Sequence, residues 1–329
     1  MHNYKDIRRV HLEISTRCNS ACPDCPRNFR GVDVLDDYPL VDLRLRQVQK
    51  IFTESFLKQL HHILINGNYG DFVTAQDGLA IVEYFKSVNP ILNIEISTNA
   101  SAKSHIWAAL GRLKITVYFR LDGLKDTHHL YRQNTDFDLI INNAKEFIAA
   151  GGNAIWALIP FNHNKHQIEQ CQTLAKELGF ARFEIQDAGR NIMPVFNKNK
   201  ELTHMIGDYR GSVIFEELHT QYKTKYNPII LLEQQDVVDK NIKCYSKTNK
   251  EIYISANGDV YPCCWLGSYP TYQPDSLRNF QLVPLITKNN ALEHGLAQAI
   301  EWFNKIEESW NIESVANGKL YTCNTYCGS

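Results

Sequence analysis

Between residues 9 and 187, six short apolar runs alternate with five helical patterns, and this alternation limits the fold more than any other feature of the chain. The runs are RVHLEIS (9–15), HHILIN (61–66), ILNIEIS (91–97), KITVYFRL (114–121), NAIWALIP (153–160) and ARFEIQ (181–186). Helical patterns near 43–58, 75–87, 103–111, 138–149 and 165–178 separate them. In 138–149, Ile140, Ala144, Phe147 and Ile148 share one face, and Gly151-Gly152 signals a stop. Strands that alternate with helices predict an α/β fold with a parallel sheet and helices outside it.

The strands also distinguish their faces. Parallel strands buried on both sides read as continuous apolar runs, but these alternate. In 114–121, Ile115, Val117, Phe119 and Leu121 oppose Thr116, Tyr118 and Arg120, with Asp122 next in line. In 9–15, Val10, Leu12 and Ile14 oppose His11, Glu13 and Ser15. In 91–97, Leu92, Ile94 and Ile96 oppose Asn93, Glu95 and Ser97. If helices cover the apolar faces, the polar faces line a wet interior suited to a polar ligand. An open sheet with one solvated face is the other reading.

Beyond residue 187 the pattern weakens. Residues 188–243, with NKNK and QYKTKYN, read as a connecting or substrate-covering segment. EIYISANGDVYP (251–262) reads as a β-hairpin turning at Ala256-Asn257-Gly258-Asp259. A helix is expected over about 291–306.

The net charge of −1 gives no pointer to nucleic acid or an anionic membrane surface. The opening MHNYKDIRRV lacks the apolar segment of a secretory signal. No run approaches the roughly 18 unbroken apolar residues of a membrane span. A cytoplasmic location is therefore expected. There thiols stay reduced, and the chain has nine cysteines. Eight fall into two groups, which read as metal or iron–sulfur ligands. Cys171 instead shares a helical face with Ile168, Leu174, Ala175 and Leu178 and reads as a core thiol.

The first group, CNSACPDC, places Cys18, Cys22 and Cys25 directly after the first strand. Three thiolates are one short of the four that close a zinc or [4Fe–4S] site. One metal position would stay open to a ligand. This Cys-x3-Cys-x2-Cys spacing after a first strand resembles the radical S-adenosylmethionine superfamily. NYGDF (68–72) resembles the family's Gly-Gly-Glu-Pro segment, with Gly70 and Asp71 in the places of the second Gly and the Glu. STNAS (97–101) is similar to its Thr-Asn-Gly strand end, and RLDGLKDTHHLYR (120–132) to its Ser-x-Asp-Gly…Arg segment. The chain departs from the pattern at Asp24, where an aromatic residue is usual, and at Tyr69, Phe72 and Ala100.

The resemblance implies a partial (β/α)6 TIM-like barrel and a [4Fe–4S] cluster on Cys18, Cys22 and Cys25. Its open iron would be chelated by the amino and carboxylate groups of S-adenosylmethionine. Reductive cleavage would give a 5′-deoxyadenosyl radical that abstracts hydrogen from substrate. By resemblance, Asp71 and the backbone at Gly70 would hold the methionine ammonium, and Arg132 the carboxylate. Ser97, Asn99 and Asp122, at strand ends, would reach the ribose.

The second group is Cys244, Cys263, Cys264, Cys323 and Cys327. CYSKTNKEIYISANGDVYPCC resembles the Cys-x9–15-Gly-x4-Cys opening of SPASM and shorter twitch extensions. Too few cysteines remain for two auxiliary clusters. One [4Fe–4S] cluster on Cys244, Cys263, Cys323 and Cys327 fits, with Cys264 able to replace Cys263. Adjacent strand residues face opposite sides, so one of that pair should point at the metal. A zinc site on the same cysteines remains the alternative.

The expected organisation is a radical core over 1–190, a connecting or substrate-covering segment over 191–240, and a small extension with the hairpin and auxiliary cluster over 241–329. The expected activity is oxidative modification of a ribosomal peptide at an unactivated C–H bond. Dehydrogenation of a small polar metabolite such as a sugar or aminocyclitol is the second expectation. A metal-stabilised binding or electron-transfer protein is the reading from another class. An external donor of the flavodoxin or ferredoxin type would supply electrons. With the first cysteine at position 18, a leader-peptide binder would be a separate protein.

Overall fold

The computed structural model describes residues 1–31, 33–34, 39–103, 105–186, 193–197, 199–207, 238–272 and 281–329. Most of the expected connecting segment 191–240 lies outside these residues.

All six anticipated strands form, and they pair in sequence order. They are β1 (Arg9–Leu12), β4 (His62–Ile65), β5 (Asn93–Thr98), β6 (Thr116–Arg120), β7 (Asn153–Leu158) and β8 (Arg182–Ile185), with all pairs parallel. The two-residue strands β2 (Asn28–Phe29) and β3 (Asp33–Val34) make a small separate ribbon. Helices α1 (Leu45–Ile51), α2 (Glu54–Gln59), α3 (Gly78–Val88), α4 (Trp107–Arg112), α6 (Phe137–Ala149) and α7 (Ile168–Glu177) fill the expected intervals. A short α5 (Lys125–Tyr131) between β6 and α6 has no counterpart in the sequence reading. The architecture is a partial (β/α)6 barrel.

The alternation of the strands has the anticipated cause. Val10, Leu12, Ile63, Ile94, Ile96, Val117, Phe119 and Trp156 are buried in one core with helix residues Phe85, Leu110 and Phe147. Fully burying a side chain of this size stabilises by about 1.5–3 kcal/mol. The opposite faces of β1, β5 and β6 stay polar, whereas β7 places buried Ile155 and Ala157 there. His62 meets Glu95 at 3.3 Å, and Arg120 donates Nε to Ser97 Oγ at 2.8 Å and another N–H to Gln186. Cys171 is fully buried in the apolar core.

The hairpin forms as β11 (Glu251–Ile254) and β12 (Val260–Tyr261), after a two-stranded ribbon β9 (Met193–Phe196) and β10 (Leu202–Ile206). Gly258 turns it with φ +87°. The hairpin is not separate from the barrel sheet. β11 lies parallel to β1, Val10 opposite Ile252, giving the order β12-β11-β1-β4-β5-β6-β7-β8.

The single helix expected over 291–306 is three short ones, Ala291–His294, Leu296–Ala299 and Phe303–Ser309. Gly295 interrupts it at φ +77°. Among the described residues no helix is long and apolar enough to cross a membrane.

Candidate functional site

The loop that follows β1 brings Cys18, Cys22 and Cys25 together at the carboxyl end of the sheet. Its backbone folds on itself, Cys25 N–H donating to Cys22 O and Asn28 N–H to Cys25 O, both at 3.0 Å. Ala21 N–H donates to Gln133 O, tying the loop to the end of α5. Ser20 holds the sulfurs from within: its N–H lies 3.4 Å from Cys18 Sγ and its hydroxyl 3.0 Å from Cys22 Sγ. Asn99 Nδ2 lies 3.6 Å from Cys18 Sγ, and Arg132 3.7 Å from Cys22 Sγ.

Burial pushes the Cys18 and Cys25 thiols up, Cys25 to about 12. For Cys18 the Asp71 charge and the neighbouring cysteines add to burial. For Cys25 the Arg27 and Arg132 guanidiniums pull the other way. Three thiols, one buried and two part-buried, that repel one another as anions with cations close by are a donor set that fits a positively charged iron–sulfur core.

Asp71 stands beside this loop. Gly67 and Gly70 make the approach possible: a Cβ on Gly70 would lie 1.8 Å from Ser15 O, and one on Gly67 2.3 Å from Gly70 O. Asp71 Oδ1 accepts from Thr98 Oγ1 at 2.5 Å and Val73 N at 3.1 Å, and Oδ2 accepts from Asn99 N at 2.7 Å. Its partners are thus hydroxyl and backbone donors rather than a cation. Burial raises its pKa, while the hydrogen bonds from Thr98, Asn99 and Val73 and the more distant Arg132 charge oppose the rise. A primary ammonium in direct contact would favour the ionised carboxylate further.

Asp122 and Arg132 hold each other. Asp122 is fully buried, Oδ2 accepting from Arg132 Nε at 2.6 Å and Oδ1 from Ile159 N at 2.6 Å. His128 Nδ1 accepts the Asp122 N–H at 3.1 Å, and burial lowers the His128 pKa to about 4, so the ring is neutral. Asp122 thus supports Arg132, with one hydrogen bond accepted on each of its oxygens. Arg132 keeps further N–H groups beside Cys22. Ser97 accepts from Arg120, and Asn99 bridges Cys18 and Asn19.

Sequence reasoning treated Tyr69 only as a departure. In the folded chain its hydroxyl donates to Ser268 O, and its neighbour Asn68 donates Nδ2 to Cys264 O at 3.0 Å. Both contacts pin the glycine loop to the segment after β12. Glu13, also missed, accepts from Tyr69 N at 2.8 Å, Gly70 N at 3.0 Å and Tyr253 Oη at 2.6 Å. A buried carboxylate thus joins β1, the glycine loop and β11. Alternation in 9–15 marked Glu13 as inward-facing and was the available signal.

The second cysteine group converges as well. Cys244, Cys263, Cys323 and Cys327 line one cavity, together with Trp265, Leu266, Ile306, Trp310 and Tyr326. About 300 Å³ of empty space, part of it continuous with solvent, lies between them. Cys264 is outside this lining and opens the helix Cys264–Tyr272, where its carbonyl accepts from Asn68. Cys244 and Cys327 share a hydrogen bond that raises the Cys244 pKa and lowers that of Cys327 to about 6. Among the described residues, no three His, Cys, Asp or Glu side chains are placed to hold one metal ion. In a four-iron cluster each thiolate binds a different iron, so the sulfurs need not crowd one centre.

No family model matches the chain, and no curated protein matches it. Solved structures do. Streptococcus suis SuiB bound to S-adenosylmethionine superposes with a TM-score of 0.59 at 17% identity, covering 98% of this chain and 73% of SuiB. SuiB bound to its precursor peptide SuiA gives 0.57 at 15%, covering 96% and 70%. In a further SuiB structure the match spans 65% of that protein's length. anSMEcpe with bound AdoMet gives 0.56 at 14%, covering 95% and 85%. The chain therefore has the radical S-adenosylmethionine enzyme fold.

Proposed function

We propose that this chain is a radical S-adenosylmethionine enzyme that oxidatively modifies a peptide at an unactivated C–H bond. Asp71 carries the reading: a part-buried carboxylate held by hydroxyl and backbone donors, beside three convergent cysteines at the carboxyl end of a parallel sheet. Cys18, Cys22 and Cys25 hold the cluster. Asp71 takes the methionine ammonium, and Arg132, oriented by Asp122, presents its remaining N–H groups to the carboxylate. Asn99 and Ser97, at the end of β5, face the nucleoside side. When bound, the reduced cluster and S-adenosylmethionine supply a hydrogen-abstracting radical.

The rest of the chain positions and shields. Tyr69 and Glu13 fix the glycine loop, so Asp71 is placed before ligand arrives. The polar faces of β5, β6 and β8, with Glu95, Tyr118, Arg120 and Glu184, line the interior in which substrate would lie. Cys244, Cys263, Cys323 and Cys327 hold one auxiliary [4Fe–4S] cluster. The peptide reading draws on SuiB and anSMEcpe, which have been solved with the peptides SuiA and Cp18Cys.

Anaerobic reconstitution tests this. Roughly eight irons per chain are expected from two four-iron clusters, with 5′-deoxyadenosine released from S-adenosylmethionine under a strong reductant. Bound zinc without that release would favour a metal-stabilised binding protein instead.

A further inference from the structure

The cavity between Cys244, Cys263, Cys323 and Cys327 treats its four sulfurs unequally. Three face backbone donors. Lys247 N–H lies 3.4 Å from Cys244 Sγ, Leu266 N–H serves Cys263, and Tyr245 N–H serves Cys327. The donor next to Cys323 is a side chain, the indole of Trp310.

Trp310 Nε1 is buried and finds no well-aligned acceptor among the protein atoms. An unsatisfied buried donor is destabilising, so its persistence asks for an acceptor. The ring lines the cavity together with Cys323. Its other side is fixed: the Lys247 ammonium stands 5.9 Å from the ring centroid and is itself paired with Glu307.

We propose that Trp310 donates its indole N–H to the sulfur of Cys323, or to the sulfide beside it, in the auxiliary cluster and thereby raises that cluster's reduction potential. The inference rests on the auxiliary-cluster reading above. The physical reason is charge. A reduced cluster carries one more negative charge, so a donor aimed at its sulfur stabilises the reduced form more than the oxidised one. The surroundings are aromatic and aliphatic, and in such a low-dielectric site each N–H counts for more. Removing one of the three backbone donors takes a proline, which also changes the backbone, whereas this side-chain donor can be removed alone.

The test is redox titration of the reconstituted protein, followed by electron paramagnetic resonance, in wild type, Trp310→Phe and Trp310→His. Phe keeps the ring and loses the donor; His restores an N–H. Trp310→Phe should bind full iron and titrate at a lower potential. A tenfold shift in the reduced-to-oxidised ratio corresponds to about 59 mV for one electron. Trp310→His should recover part of the shift. An unchanged potential in Trp310→Phe at full iron overturns the inference and leaves the cluster assignment standing. A wild type that binds only the first cluster overturns both.

Should Trp310→Phe lose the auxiliary irons, the wild type answers directly. With 15N-indole tryptophan, and Trp265→Phe as the background, a nitrogen coupling to the reduced auxiliary cluster supports the proposal. Its absence overturns it.

Discussion

The two cysteine sites are built from opposite surroundings. Cys18, Cys22 and Cys25 sit on a polar loop, with Asp71, Arg132, Arg27 and Asn99 as neighbours. Cys244, Cys263, Cys323 and Cys327 sit among Trp265, Leu266, Ile306, Trp310 and Tyr326. The first offers three thiols and charged groups of both signs, so a zwitterionic ligand is complemented there. The second offers four thiols and mostly N–H donors. A metal centre there would be closed and tuned by hydrogen bonds and burial rather than by an incoming ligand. On the proposed reading, chemistry begins at the first site and the second handles electrons.

Breaking each site separately gives the sharpest contrast. Cys18→Ala should abolish 5′-deoxyadenosine formation while the auxiliary irons, about half of the total, remain. Colorimetric iron analysis and chromatography of the cleavage mixture read both. Residual cleavage near the wild-type rate would refute the first site.

Deleting residues 323–329 should also remove about half of the iron. Cleavage of S-adenosylmethionine should survive, and only formation of oxidised product should stop. Full iron after the deletion would show that Cys323 and Cys327 are not ligands.

A smaller effect is expected from Asp71→Asn, which keeps size, removes the charge and turns one acceptor oxygen into a donor. A charge-assisted hydrogen bond is worth about 1.5–3 kcal/mol, so S-adenosylmethionine should bind about 10–100-fold more weakly. Ligand-induced change in the spectrum of the first cluster measures it. Unchanged affinity would mean that Asp71 only organises Thr98 and Asn99.

Much of the core was legible because its signals are local. Alternation in 91–97 and 114–121 placed Ile94 and Val117 in the core and Glu95 and Tyr118 on the polar face. The three-cysteine spacing located the first site. What stayed hidden depends on long-range pairing. Nothing near Ile252 announces that it lies opposite Val10, because parallel pairing between distant strands leaves no turn signature. Asp122 and Arg132 were both singled out, yet only the folded chain shows that they hold each other. Trp310 was unmarked because its neighbour Cys323 is brought close by chain folding.

The smallest effect concerns the joint between the two sites. Tyr253 on β11 donates its hydroxyl to Glu13, and Glu13 holds the glycine loop that positions Asp71. Burial raises the Glu13 pKa above 4.5, and the Tyr253 hydroxyl works against that rise. A carboxyl whose pKa is raised on folding binds more protons in the native state, so stability is fullest below about pH 4.5 and declines as pH rises through the native pKa. Tyr253→Phe lifts that pKa further. The variant should lose about 1 kcal/mol of stability at pH 8, and the loss should shrink toward pH 4.5 as Glu13 takes up its proton. Denaturant midpoints of the reconstituted protein across this range report it. Glu13→Gln, which carries no charge, should flatten the dependence. A Tyr253→Phe loss that is equal at both ends would mean that the hydroxyl acts by packing alone, and the two sites would then be joined by strand pairing rather than through Glu13.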